Sequence, residues 1–200
     1  MEHYIQTILK VLAAAIFFDR DGVLNKNVRY TDSNEWEAPR TVTDFDIVPG
    51  AVAAAASLQR AGYRLFLVSN QPNMAKGKAQ QADHDAIHAE LLRHMNGAGV
   101  IFQDVYYCFH HPKAVVSEWS GPCECRKPSS FFLQTAKKNY ALDMTQSWMI
   151  GDRDTDIECG RAAGVRTIQI SDRARHTLPQ HPDYIAHSIV QAAQIILATS

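Results

Sequence analysis

Asp19 and Asp21 are the residues whose type and spacing point most directly to chemistry. They follow an apolar run, Ile16-Phe17-Phe18, and precede Gly22, which permits a sharp turn. A carboxylate can attack phosphorus and form an acyl-phosphate, dividing one hard displacement into two easier ones. A second carboxylate two positions on can protonate the leaving group, then take a proton from the attacking water. An ordinary Asp-Gly turn after a strand is the alternative, and this pattern by itself does not separate the two.

Met149-Ile150-Gly151-Asp152 is a second apolar run ending in an acid, with Asp154 and Asp156 close behind. Mg²⁺ is a hard ion, usually held by one or two carboxylates plus water and substrate phosphate. Asp19 and Asp152 could supply that pair, and the ion would screen repulsion between a carboxylate nucleophile and a phosphate. Asp152 could instead cap a helix. Asp154 reads as a helix cap or a solvated acid, and Asp156 either orients the metal shell or sits in the first helical turn. Ser69 ends the apolar run Arg64–Val68, where its hydroxyl could donate to a phosphate oxygen. Arg126 and Lys127 offer a forked guanidinium and a point charge for an anion. The alternatives are a strand-end serine and a solvated basic pair.

The four cysteines are Cys108, Cys123, Cys125 and Cys159. Cys108-Phe109-His110 and Cys123-Glu124-Cys125 form two close pairs that suit a tetrahedral structural Zn²⁺ site of Cys₃His type. His111 could replace His110, and reduced core cysteines or a disulfide are the other readings. Cys159 lies in a helical stretch and reads as a buried small side chain. His84 and His88, four apart, lack the Glu of a HExxH site and read as helix-surface residues.

These residues need elements to position them. Strands are expected at Leu12–Phe18, Arg64–Val68, Val105–Tyr107, Trp148–Ile150 and Arg166–Ile170. Helices are expected from Pro49-Gly50 to Gly62 and at Gln80–Met95, Ser129–Tyr140, Thr155–Ala163 and Ser188–Thr199. Val23–Phe45 is polar and aromatic-bearing. The alternation predicts an α/β fold with a mostly parallel sheet. Three of the strands end in Asp19, Ser69 and Asp152, and ligands bind beyond the carboxyl ends of such strands.

The 200 residues suit one domain spanning the chain, with residues 1–11 as an N-terminal extension and 108–125 as a zinc loop. Lys+Arg is 20 and Asp+Glu is 21, for a formal net charge of -1, which argues against a polybasic nucleic-acid binder. The longest apolar run, Val11 to Phe18, is far short of the ~20 residues of a membrane-spanning helix. No basic leader precedes it, so no signal peptide is expected.

The motifs IFFDRDG (16–22), LVSNQ (67–71), Lys127 in CRKP and IGDRDTD (150–156) resemble those of the haloacid dehalogenase (HAD) superfamily. More narrowly, YYCFHHP (106–112) and CECRKP (123–128) resemble the heptose 1,7-bisphosphate 7-phosphatase branch. The histidinol-phosphate phosphatases share DRDG and CxCRKP but have a shorter zinc loop. The likeness covers residues 14–170. It implies an α/β fold: a HAD-like, Rossmannoid three-layer α/β/α architecture with no large cap domain. It also implies a Mg²⁺-dependent phosphatase that passes through an aspartyl-phosphate, releasing the 7-phosphate in the synthesis of nucleotide-activated heptose for lipopolysaccharide or capsule.

By the same resemblance, Asp19 is the nucleophile and a Mg²⁺ ligand. Asp21 is proton donor and general base, with its carbonyl on the metal, and Asp152 is the third Mg²⁺ contact. Ser69 and Lys127 hold the phosphoryl group. Arg126 meets a second phosphate, and Arg153, Asn70 and Gln71 contact substrate. Arg29 and Tyr30 align with a substrate loop. Cys108, His110, Cys123 and Cys125 bind Zn²⁺. The implied partner is a small sugar phosphate, with no nucleic acid or membrane, in a monomeric cytoplasmic enzyme. Histidinol phosphate is the alternative substrate, and a non-catalytic zinc-loop binding module is the rival of a different class. The sequence departs from the family at Val23, usually Thr, and at Pro72-Asn73-Met74. Lys26–Val42 is also longer and more aromatic, with Trp36 and Pro39, and is expected to frame the entrance together with the zinc loop.

Overall fold

The apolar run ending at Phe18 forms strand β1 (Ala15–Phe18), buried on both faces. The computed structural model describes residues 12–171 and 181–199; the extension expected at 1–11 lies outside them. After β1 come β2 (Val28–Tyr30), β3 (Glu35–Glu37), α1 (Ala51–Arg60), β4 (Arg64–Asn70) and α2 (Gln81–Asn96). β5 (Phe102–Cys108), α3 (Phe131–Tyr140), β6 (Trp148–Gly151), α4 (Asp154–Ala163), β7 (Arg166–Ile170), β8 (Tyr184–Ala186) and α5 (Ile189–Ala198) complete the order.

Six strands make one sheet in the order β5-β4-β1-β6-β7-β8, and every pairing in it is parallel. Parallel strands covered on both faces read as continuous apolar runs, which is why RLFLV and IFF carry no polar alternation. Their side chains still alternate. Ile16, Phe18, Leu65 and Leu67 pack with Leu58 of α1, Leu91 of α2 and Ile196 of α5. Ala15, Phe17, Phe66 and Val68 pack on the other side with Leu133 of α3 and Cys159 of α4. The result is the three-layer architecture that the resemblance implies. Truncating a fully buried aromatic such as Phe17 would cost about 3–5 kcal/mol.

β1 lies inside the sheet with β4 on one side and β6 on the other, paired at Phe18↔Leu67 and Phe18↔Ile150. This is a switch point, where open parallel sheets bind ligands. Asp19, Ser69 and Asp152 therefore leave adjacent strand ends.

Several elements differ from the sequence expectation. Val23–Phe45 holds the antiparallel hairpin β2–β3 and a 3₁₀ turn at 42–44. β8 is an added edge strand. Of the two histidines expected on the helix surface, His84 is buried and His88 is half-buried. The His84 ring lies edge-to-face on Tyr107 at 4.5 Å and Phe109 at 4.9 Å. His88 Nδ1 lies 2.9 Å from the Tyr107 hydroxyl. The aromatic residues at the end of β5 give this face of α2 a packing partner that helical spacing alone does not reveal. No described helix is long and apolar enough to cross a membrane.

Candidate active site

The end of β1 delivers Asp19 into a buried position, its backbone N–H held by the Ile150 carbonyl at 2.9 Å. Asp19 Oδ1 accepts from the Ser69 hydroxyl at 2.7 Å and from Lys127 Nζ at 2.8 Å. Lys127 also donates to the Val68 carbonyl at 2.7 Å and pairs with Asp156 at 2.6 Å. An ammonium has three protons, and these three acceptors use them all. Burial works against the charge on Lys127, but Asp156 and Asp19 outweigh it and hold the ammonium pKa well above its usual range.

Asp19, Asp152 and Asp156 each offer a carboxylate oxygen, all within 4.8 Å of one another. Burial, then the charges of Asp19 and Asp156, push Asp152 up to about 8. Burial pushes Asp156 up to about 6, with Lys127 opposing it. Asp152 Oδ1 is buried without a hydrogen-bond partner. Three converging carboxylates with an unpartnered buried oxygen suit a hard divalent cation. Gly22, at φ 87°, turns the chain beside this cluster, and a Cβ there would collide with the Asp152 carboxylate.

Asp21 is held from four directions. Its Oδ1 accepts from Arg20 Nε at 3.2 Å, Arg20 Nη2 at 3.1 Å and Asn25 Nδ2 at 2.9 Å. Its Oδ2 accepts from Gln71 Nε2 at 2.6 Å. Arg20 is fully buried.

These acids open onto a cleft of about 1250 Å³. Asn70, Arg126 and Arg153 line it, as expected of substrate contacts. Asn70 also exchanges two hydrogen bonds with the Lys127 backbone, at 3.0 and 3.1 Å. Lys76 shares the lining, with no ion pair of its own, and burial lowers its pKa. Three expected contacts are not at the cleft. Gln71 is buried against Asp21. Arg29 is exposed and bonds Asn34 at 2.8 Å. Tyr30 donates to Asp44 at 2.7 Å and accepts from the Arg40 N–H at 2.8 Å. The cause is that β3 rather than β2 borders the cleft, so Glu35, Trp36 and Glu37 line it instead.

Cys108, His110, Cys123 and Cys125 also bring their ligand atoms within 4.8 Å of one another. All four cysteines are free thiols. His110 Nδ1 is buried without a partner, whereas His111 Nδ1 accepts from the Lys113 N–H at 3.0 Å, so the cluster takes His110. Soft thiols with an unpartnered imidazole nitrogen suit Zn²⁺. Cys159 is buried apart from it, its thiol donating to the Ser129 carbonyl at 3.2 Å.

A family model described as HAD-hydrolase-like matches residues 124–192. D-glycero-beta-D-manno-heptose-1,7-bisphosphate 7-phosphatase of Rhodopseudomonas palustris is 35% identical over 154 residues, covering 76% of this chain and 79% of that protein. This chain belongs to the heptose bisphosphate phosphatase branch of the HAD-like hydrolases. The D-glycero-alpha-D-manno-heptose-1,7-bisphosphate 7-phosphatase of Photorhabdus laumondii is 31% identical over 149 residues, covering 74% of this chain and 77% of that one. A crystal structure of D,D-heptose 1,7-bisphosphate phosphatase from B. bronchiseptica, complexed with magnesium and phosphate, shares the fold at a TM-score of 0.78. It is 23% identical and covers 94% of this chain and 99% of that one.

In this heptose bisphosphate phosphatase relative, sequence reasoning passed over several residues of the site. Arg20 sits inside DRDG, a motif whose visible chemistry lies in its acids. Asn25 and Asn27 each donate to a site carboxylate, Asn27 to Asp152 at 3.2 Å. Their one signal was proximity to the DRDG turn.

Proposed function

We propose that this protein is a Mg²⁺-dependent phosphatase that removes the 7-phosphate of D-glycero-D-manno-heptose 1,7-bisphosphate. The observation that carries the reading is Asp19, buried at the switch point with Ser69 and Lys127 on one of its oxygens. The names of the relatives support the substrate class.

Asp19 attacks phosphorus and becomes an aspartyl-phosphate as the bond to the sugar oxygen breaks. Asp21 gives that oxygen a proton. Asp21 then takes a proton from the water that attacks the aspartyl-phosphate, which frees Asp19 and releases inorganic phosphate. Ser69 and Lys127 fix the Asp19 carboxylate, and the Lys127 charge would stabilise the phosphoryl group beside it. Asp19, Asp152 and the Asp21 carbonyl would hold Mg²⁺, with Asp156 behind them. When bound, the ion neutralises charge on the phosphate. Arg126 and Arg153 take the second phosphate and the sugar.

Cys108, His110, Cys123 and Cys125 would hold a structural Zn²⁺. With all four positions filled by protein, this ion shapes the loop and leaves the chemistry to the acids. The free thiols suit a reducing compartment, and we place the protein in the cytoplasm as a monomeric, single-domain enzyme acting on a small sugar phosphate, with neither nucleic acid nor membrane as partner.

The test is phosphate release with Mg²⁺ from the α and β anomers of heptose 1,7-bisphosphate and from histidinol phosphate. A heptose anomer is expected to lead in kcat/KM by more than about a hundredfold, ~2.7 kcal/mol of transition-state binding. Histidinol phosphate in the lead would overturn the substrate but keep the mechanism. Asp19→Asn is expected at background. More than a few per cent of wild-type turnover in that variant would sink the mechanism.

A further inference from the structure

The arrangement around Asp21 has a feature that the proposed reaction does not use. Arg20 brings two N–H groups, Nε and Nη2, to the same oxygen, Oδ1, at 3.2 and 3.1 Å. Asn25 adds a third donor there at 2.9 Å. Oδ2 has a single donor, Gln71 Nε2 at 2.6 Å. The two oxygens of one carboxyl are thus made unequal. Three donors crowd Oδ1, which leaves Oδ2 as the oxygen able to carry a proton.

Gln71 is fixed in turn by Arg20. Its Oε1 accepts from Arg20 Nη2 at 2.6 Å. A guanidinium has no acceptor, so the amide must turn its oxygen toward Arg20 and its NH₂ toward Asp21. The same NH₂ reaches the Ser69 hydroxyl at 3.0 Å. Arg20 is itself walled in by β5 and α2. Its guanidinium carbon lies 5.7 Å from the centre of the Tyr107 ring, and the Tyr107 hydroxyl is 2.9 Å from His88 Nδ1. A fully buried arginine paired with one acid is costly to place, and that cost is spread here over a built environment rather than left to solvent.

We propose that Arg20 and Gln71 are positioning residues that fix the rotation of Asp21 and reserve its Oδ2 for proton transfer to the leaving oxygen. The inference rests on the reading of Asp21 as general acid. In the first half-reaction the bond from phosphorus to the sugar oxygen breaks, the electron pair stays on that oxygen, and the Oδ2 proton moves to it. A sugar alkoxide needs that proton, and a nitrophenolate does not.

The test is kcat/KM, which reports formation of the aspartyl-phosphate, measured with heptose 1,7-bisphosphate and with p-nitrophenyl phosphate in Mg²⁺. The variants are Arg20→Met, Gln71→Leu and, as reference, Asp21→Asn. Asp21→Asn is expected to lose far more on the sugar than on the nitrophenyl ester. Gln71→Leu and Arg20→Met are expected to follow it, with at least tenfold loss on the sugar and less than threefold on the nitrophenyl ester. If Arg20→Met does not fold by circular dichroism, Gln71→Leu decides, since Gln71 carries no charge and its removal strands none. Equal losses on both substrates in Gln71→Leu, beside an unequal loss in Asp21→Asn, overturn the positioning role alone. Equal losses in Asp21→Asn overturn the acid role of Asp21 and the inference with it.

Discussion

Lys127 sets its ammonium 2.8 Å from Asp19 Oδ1 while pairing at 2.6 Å with Asp156 on its other side. A buried cation between two buried acids cannot be removed without stranding charge. Lys127→Met is expected to lose activity to background and about 3–5 kcal/mol of stability. Adding Asp156→Asn should restore part of that stability and none of the activity. Thermal unfolding of the single and double variants checks this: a double variant no more stable than the single would show that the two residues are not energetically coupled.

The turn at Gly22 packs directly against the carboxylate of Asp152, the acid at the end of β6. At φ 87° an L side chain is strained, and a Cβ would press on the Asp152 carboxylate. Gly22→Ala is expected to cost about 1–2 kcal/mol from backbone strain alone. The displaced Asp152 should also raise the Mg²⁺ concentration needed for half-maximal activity. A magnesium titration matching wild type would show that the turn does not set the metal acids.

The acids at the strand ends were legible because two physical rules coincide on them. Continuous apolar runs identify buried parallel strands, and parallel strands bring their carboxyl ends together. These rules place Asp19, Ser69 and Asp152 together at adjacent strand ends, while their roles came from the motif resemblance. Arg20 was opaque for the opposite reason. An arginine between two aspartates looks solvated, and only the distant Tyr107 and Gln71 make it a buried clamp. His84 and His88 misled because helical spacing shows which residues share a face but not what covers that face. In the entrance segment, the side on which the hairpin meets the rest of the fold decides that β3, with exposed Trp36 and buried Glu37, rather than β2, with Arg29 and Tyr30, borders the cleft. Short polar strands carry too little apolar pattern to announce that.

His84 makes stability depend on pH. Burial, then the nearby Arg20 charge, lowers its pKa to about 4. The unfolded chain takes up this proton near 6.5, so below that pH it binds more protons than the folded protein. Stability therefore rises with pH between about 4 and 6.5, and the contribution is lost as pH falls through that window. Between pH 7 and pH 5 the loss should reach about 2 kcal/mol. Denaturant unfolding of wild type and His84→Gln at both pH values should show a smaller drop in the variant. Parallel drops would exclude His84 as the source.

Arg126 lines the cleft with its guanidinium free of carboxylate partners, donating to the His110 carbonyl at 2.9 Å. A charge-assisted bond to the second phosphate would be worth about 2 kcal/mol. Arg126→Ala should then lower kcat/KM for heptose 1,7-bisphosphate ~30-fold. For heptose 7-phosphate, which lacks that second group, the loss should be within about threefold. Equal losses on the two substrates would remove Arg126 from phosphate recognition.

That bond to His110 ties substrate recognition to the cysteine cluster. Cys108 ends β5, while Cys123 and Cys125 directly precede Arg126. A Zn²⁺ ion across them would close the loop and hold the His110 carbonyl where Arg126 uses it. Such ions stabilise only the folded loop, so their binding energy is folding energy. Purified protein is expected to contain one equivalent of zinc. Chelation should lower the unfolding temperature and raise KM for the bisphosphate, while kcat with p-nitrophenyl phosphate changes little. Cys125→Ser should reproduce both effects without chelator. Because the acids sit on the sheet and the arginine sits on the loop, the split between KM and kcat is the decisive readout. A loss of kcat as large as the rise in KM would mean that the loop also supports the Lys127 and Asp19 pair, through the two bonds between Asn70 and the Lys127 backbone.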